Sequence, residues 1–148
     1  MPTYTQITYH IVFSTKNRAP ALLPENRREL FRYIWGILKN KKSTLIRING
    51  VADHLHILTS LHPTVALADL VREIKVSSSL WIRQKKLFPE FSGWQDSYAA
   101  FTCAMADRSR LINYIKNQEE HHRQKSFQEE LREFLIREGV KFDERYFK

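Results

Sequence analysis

Two short runs in this 148-residue chain hold side chains whose types and spacing could do chemistry. The first is Asp53-His54-Leu55-His56-Ile57-Leu58. Along an extended strand alternate side chains share a face, so His54 and His56 point together while Leu55 and Ile57 turn toward an apolar core. Two imidazoles side by side can chelate one divalent metal. Histidine is also a poor filler for the middle of a sheet strand, which separates this pair from the chance i, i+2 pairs expected in a chain with 6 histidines.

The second run is Tyr114-Ile115-Lys116-Asn117-Gln118-Glu119-Glu120-His121. On a helix turning about 100° per residue, Tyr114 and Gln118 lie only about 40° apart and His121 falls on the same strip. Leu111, Ile112 and Ile115 form the neighbouring apolar strip, so Tyr114 stands at the border of core and solvent. A tyrosine there is most simply a packing residue, with Gln118 and His121 on the surface. The two runs together suggest more. A tyrosine hydroxyl has a pKa of about 10 and attacks a phosphodiester slowly unless negative charge is neutralised nearby. A divalent metal on His54, His56 and a third ligand would do this, and Gln118 could complete the set through its carbonyl oxygen.

The elements that must position these residues are legible in outline. Residues 4–14 read as a strand in the middle of a sheet. Pro24 opens a helix over about 24–41, with Leu30, Phe31, Ile34, Trp35 and Leu38 at helical spacing. Segments of about 44–51 and 54–61 form a hairpin whose turn falls at Ala52-Asp53 in preference to Asn49-Gly50, because the two strands are then more equal. Thr64 is the expected cap of a helix over about 65–86, and residues 87–96 are a loop containing Pro89 and Gly93. A fourth strand covers 97–104. Asp107 or Ser109 caps a third helix over about 109–123, and Ser126 with Glu129 makes a capping box for a fourth, about 126–138, ended by Gly139. Phe127, Leu131, Phe134 and Leu135 form its apolar stripe. The order β-α-β-β-α-β followed by two helices is the α+β, ferredoxin-like split βαβ arrangement. It predicts a four-stranded antiparallel sheet with helices on one face plus C-terminal helices, in a single domain over 1–148.

Composition narrows the partners. With 24 Lys+Arg against 16 Asp+Glu the net charge is +8, which suits a polyanion such as nucleic acid as well as a solvated surface. Arg72, Lys75, Arg83, Lys16, Arg18, Lys41, Lys42 and Arg47 are candidates to follow phosphates, and Trp81 or Trp94 to stack an unpaired base. His121 is a candidate neighbour of phosphate or metal, whereas His10, His62 and His122 have no evident role. The 4 glycines lie too far apart for a phosphate-cradling loop, which argues against a nucleotide cofactor. A single cysteine, Cys103, forms no internal disulfide, no apolar run spans a bilayer, and the opening residues do not resemble a signal peptide. A cytoplasmic protein with no membrane partner is expected.

His54-Leu55-His56 with Tyr114-x-x-x-Gln118 resembles the single-tyrosine HUH transposases of small bacterial insertion sequences. The likeness extends along the chain: Phe13-Ser14-Thr15-Lys16, Asn49 to His54, Trp94 to Phe101, and the tail from Gly139 to Tyr146. Ala99 departs from it, standing where a glycine often follows the tyrosine. A related branch, the domesticated transposases associated with repeated extragenic palindromes, shares the motifs. The resemblance implies cleavage and rejoining of single-stranded DNA near hairpins at element ends. Tyr114 would attack the phosphate, leaving a 5′-phosphotyrosine and a free 3′-OH. It implies magnesium or manganese on His54, His56 and Gln118, although these ligand types suit zinc as well. It also implies a homodimer in which the tyrosine helix can complete the partner's site. The competing expectation is a catalytically silent protein of the same topology that only binds single-stranded hairpins. Replication initiators and relaxases share the histidine pair but are longer.

Overall fold

The structure, a computed structural model, describes residues 1–147 apart from the side chains of residues 122, 123, 146 and 147, so His122 and the ring of Tyr146 lie outside the described residues. Four strands, β1 (Thr8–Ser14), β2 (Leu45–Gly50), β3 (His54–Ser60) and β4 (Ala99–Thr102), form one antiparallel sheet in the order β2-β3-β1-β4. The ferredoxin-like expectation is met. The period of two assigns the faces: Ile11 and Phe13 of β1 and Leu55 and Ile57 of β3 join the main core. That core is closed by α1 (Arg27–Asn40) through Leu30, Ile34, Ile37 and Leu38, and by α2 (Leu67–Lys85) through Leu70, Val71, Ile74 and Ile82.

The opposite face is covered by the C-terminal helices α3 (Arg108–Lys116), α4 (Gln118–Gln124) and α5 (Phe127–Arg137). There Leu58, Cys103 and Ile115 make a second, smaller cluster. Both faces of the central strands are therefore buried, and β3 is buried from His54 through Thr59.

Several boundaries move. β1 starts at Thr8, not residue 4: its ladder with β3 begins at Thr8 opposite Ser60 and its ladder with β4 at Tyr9 opposite Thr102, and just before it the Ile7 carbonyl accepts from Leu61 N–H at 3.2 Å. β4 shrinks to four residues, Ala99–Thr102, pairing with β1 from Val12 to Tyr9. Thr64 caps no helix: its hydroxyl is shared with the His62 ring at 2.7 Å, and Ala66 stands at the cap position. The β2–β3 turn spans Val51 to Asp53 as preferred, with Val51 N–H donating to the His54 carbonyl. The expected helix over 109–123 is two helices, broken at Asn117. Ser126 accepts from Glu129 N–H at 3.2 Å, and Gly139 ends the last helix at φ +69°.

Candidate metal and tyrosine centre

β3 aims His54 and His56 at the face under the C-terminal helices, and both are fully buried. The break at Asn117 decides how α3 and α4 meet them. Tyr114 lies in the last turn of α3 and Gln118 begins α4, so the two are not one turn apart on a continuous helix, yet both reach the histidines. Gln118 Oε1 lies 3.2 Å from His54 Nε2, and the Tyr114 ring lies 5.9 Å from that of His56. His121 stacks on Tyr114 at 4.5 Å. The four residues singled out in the sequence thus form one cluster.

At its centre is a residue the sequence reading passed over. Glu130, on α5, places Oε1 3.1 Å from His54 Nε2 and 2.8 Å from His56 Nε2. Its Oε2 accepts from the Tyr114 hydroxyl and, at 3.2 Å, from Gln118 Nε2. The signal for it was present. Phe127, Glu130 and Phe134 share the buried side of α5, and an acid on an apolar stripe requires a partner.

The outer nitrogens of both imidazoles are also held. Asp53 Oδ1 lies 2.8 Å from His54 Nδ1, and His10 Nε2 lies 2.8 Å from His56 Nδ1. Such contacts orient a ring so that its remaining nitrogen faces inward, as metal-ligating histidines require. His54 Nε2, His56 Nε2 and a Glu130 oxygen all lie within 4.8 Å of one another, a mixed nitrogen and oxygen set that fits a divalent cation. Gln118 Oε1 adds a fourth donor beside them.

Electrostatics follow from burial and this single carboxylate. Burial opposes charge on His54, but its hydrogen bonds to the Asp53 and Glu130 carboxylates outweigh it and raise its pKa to about 9. His56 is lowered by burial despite Glu130, and His10 is lowered by burial and by its histidine neighbour. Burial works against the Glu130 anion, yet its hydrogen bonds to His54 and His56 hold it well below the usual carboxylate range. Burial and the Glu130 charge push the Tyr114 hydroxyl well above its ordinary value, so it stays protonated in this arrangement.

Five of the ten expected nucleic-acid residues have structural partners. Trp94 is buried, donating to Ser78 Oγ at 2.9 Å. Trp81 stacks on Tyr33 at 4.5 Å. Lys75 donates to the carbonyls of Gln95 and Ser97, both at 2.8 Å, pinning the segment before β4. Arg72 pairs with Asp69, and Lys41 with Glu73.

Residues 3–118 match the family model described as "Transposase IS200 like". The chain belongs to the IS200-like transposases. Among curated members of that family it is 26% identical over 118 residues to the ISDra2 transposase TnpA of Deinococcus radiodurans, covering 76% of this chain and 84% of the relative. It is 26% identical over 115 residues to the transposase for insertion sequence element IS200 of Salmonella typhimurium, covering 74% of this chain and 75% of the relative. Two solved structures share the fold. A candidate transposase of Deinococcus radiodurans superposes with TM-score 0.59 at 25% identity, over 80% of this chain and 95% of that one. A REP-associated tyrosine transposase bound to a REP hairpin gives TM-score 0.61 at 17% identity, over 82% and 74%. Glu130 lies beyond the residues that the IS200-like model matches. Among the described residues no helix is long and apolar enough to cross a membrane.

Proposed function

We propose that this transposase cuts and rejoins single-stranded DNA at hairpin-marked ends, with Tyr114 as nucleophile and His54, His56 and Gln118 as metal ligands. The observation that carries the reading is the placement of the Tyr114 hydroxyl one carboxylate away from both imidazoles, through Glu130. The Tyr114 oxygen would form a bond to phosphorus as the bond from phosphorus to the 3′ oxygen breaks. The tyrosine proton is matched by the proton gained at the new 3′-OH, and the phosphate stays on Tyr114 as a 5′-phosphotyrosine. Attack by another 3′-OH reverses these bonds, so no nucleotide is consumed. Magnesium or manganese at the histidines would neutralise charge on the phosphate oxygens. Asp53 and His10 hold the two rings in place, and His121 and Phe134 pack on the Tyr114 ring. The hairpin-bound structural relative supports hairpin DNA as the partner. The family supports a homodimer acting in the cytoplasm, which sedimentation at micromolar concentration would check for the dimer.

The deciding experiment incubates the protein with labelled single-stranded hairpin DNA and Mn²⁺ and resolves a covalent adduct on a denaturing gel. The adduct is expected from the parent chain and absent from Tyr114→Phe and after chelation. Cleavage by the Phe variant would remove Tyr114 from the role. The complete burial of His54, His56 and Gln118 favours one second reading, a protein that binds hairpins without cutting them. Salt-sensitive hairpin binding with no adduct would establish it.

A further inference from the structure

Glu130 joins groups that a cleavage reaction must coordinate, and it does so with its two oxygens divided between them. Oε1 faces the Nε2 atoms of His54 and His56 at 3.1 and 2.8 Å. Oε2 faces the other way, to the Tyr114 hydroxyl and to Gln118 Nε2. We propose that Glu130 is a positioning residue that ties the metal to the nucleophile, one oxygen sharing the cation with His54 and His56 while the other holds the Tyr114 hydroxyl. The purpose of this tie rests on the reading of Tyr114 as nucleophile, but its structural content does not.

Three observations support it. The helix that brings Glu130 is fitted to the site on both sides of the acid. The Phe127 ring lies 4.6 Å from that of His54, and Phe134 lies 5.1 Å from His10 and 5.4 Å from Tyr114. Withdrawing α5 would expose both rings to water, so α5 is built to stay seated. The charge is also right. Two imidazoles and Gln118 supply no anion, and Glu130, among the described residues the carboxylate whose oxygen faces both Nε2 atoms, is the natural counter-charge for a dication. Finally, the seated helix leaves a path to the tyrosine. A cleft of about 480 Å³, lined by Phe101, Leu111, Tyr114 and Phe134 among others, runs between β4, α3 and α5. A strand following it would reach Tyr114 with Glu130 still in place.

The opposite arrangement is that Glu130 fills the seat of the cation and must be expelled before one binds. Manganese itself separates the two. In the full chain, Mn²⁺ affinity would be measured by electron paramagnetic resonance for the parent, Glu130→Gln and Glu130→Ala, each first checked for an unchanged melting transition. Amide exchange over residues 127–137 would be followed with and without Mg²⁺. A tie predicts affinity lower by about tenfold or more in both variants, in the range seen when groups around a metal are removed. It also predicts slower exchange in α5 when the parent binds metal, and loss of that slowing in Glu130→Ala. Unchanged or tighter binding in the variants, no binding by the parent, or faster exchange in α5 on adding metal would overturn it. Should both variants unfold, exchange in the parent alone decides. None of these readouts uses cleavage, so a failed adduct assay with a successful metal tie would sink only the transposase chemistry proposed for Tyr114.

Discussion

Asn49, on β2, donates its side-chain amide to the carbonyls of Ile115 at 2.9 Å and Lys116 at 3.1 Å, the two residues that follow Tyr114. The same side chain accepts from the N–H of Gly50 at 2.9 Å. A residue at one edge of the sheet thereby fastens the end of the tyrosine helix to the strand next to His54 and His56. This fastening and the course of α3 together hold Tyr114 beside the imidazoles.

Replacing Asn49 by Ala should leave carbonyls at the end of α3 without this donor and destabilise the fold by about 1–3 kcal/mol. Denaturant unfolding measures the loss. Because α3 would also be free to shift, formation of the tyrosine adduct should fall by more than the loss of folded protein explains. An adduct yield that simply tracks the folded fraction would show that Asn49 has no part in placing Tyr114.

Asp53 contacts His54 Nδ1 at 2.8 Å, and that contact is expected to matter for metal rather than for folding alone. Asp53→Ala frees the ring to turn, and Mn²⁺ affinity should fall about tenfold, as is common when a carboxylate behind a ligating histidine is removed. Titration by calorimetry gives the number. Equal affinity would mean that Phe127, Gln118 and Glu130, which all touch the same ring, hold His54 without Asp53.

How much of this was legible follows from the range of each interaction. The alternation of His54 and His56 with Leu55 and Ile57 is a period-two pattern, and the structure divides them between the two faces as that pattern requires. The Ser126 cap and the turn before His54 are likewise local. The break between Tyr114 and Gln118 is not local, since the side chain that takes the carbonyls before it is Asn49, more than sixty residues away. His10 partners His56 only because β1 and β3 pair with Val12 opposite His56, a register that no single strand encodes. Glu130 was half legible. Its place on an apolar stripe marks it, but the neighbouring Glu129 fits the capping-box pattern with Ser126, whose hydroxyl accepts its N–H, and draws the eye to the wrong acid.

Gly50 ends β2 pressed against β3. A Cβ there would stand 2.5 Å from Leu55 Cδ2 and 2.7 Å from the His54 carbonyl oxygen. The leucine tip can turn, but a backbone oxygen cannot move without carrying His54 with it. Gly50→Ala should therefore cost about 1–3 kcal/mol, the range for overpacking a tight site. It should also weaken Mn²⁺ binding, which separates it from an ordinary core clash. Melting curves with and without Mn²⁺ test both parts: the gain in stability on adding metal should be smaller for the variant than for the parent.

Cys103 reports on the wall between β4 and α3 without touching the proposed ligands. It is the sole cysteine of the chain, 9% exposed, and packs with Leu58 and Ile115. Burial pushes its thiol pKa up, and the charges of Asp107 and Glu138 add to this against the opposing charges of Arg108 and Arg110. A raised thiol pKa leaves less thiolate at any neutral pH, and the thiolate is the species that reacts. Alkylation by iodoacetamide at pH 8 should thus be about tenfold or more slower than for glutathione. The rate should go on rising at pH values where glutathione has levelled off. Labelling as fast as the free thiol, with an ordinary pH midpoint, would mean that this wall opens in solution and that the cleft beside Tyr114 is wider than its closed form.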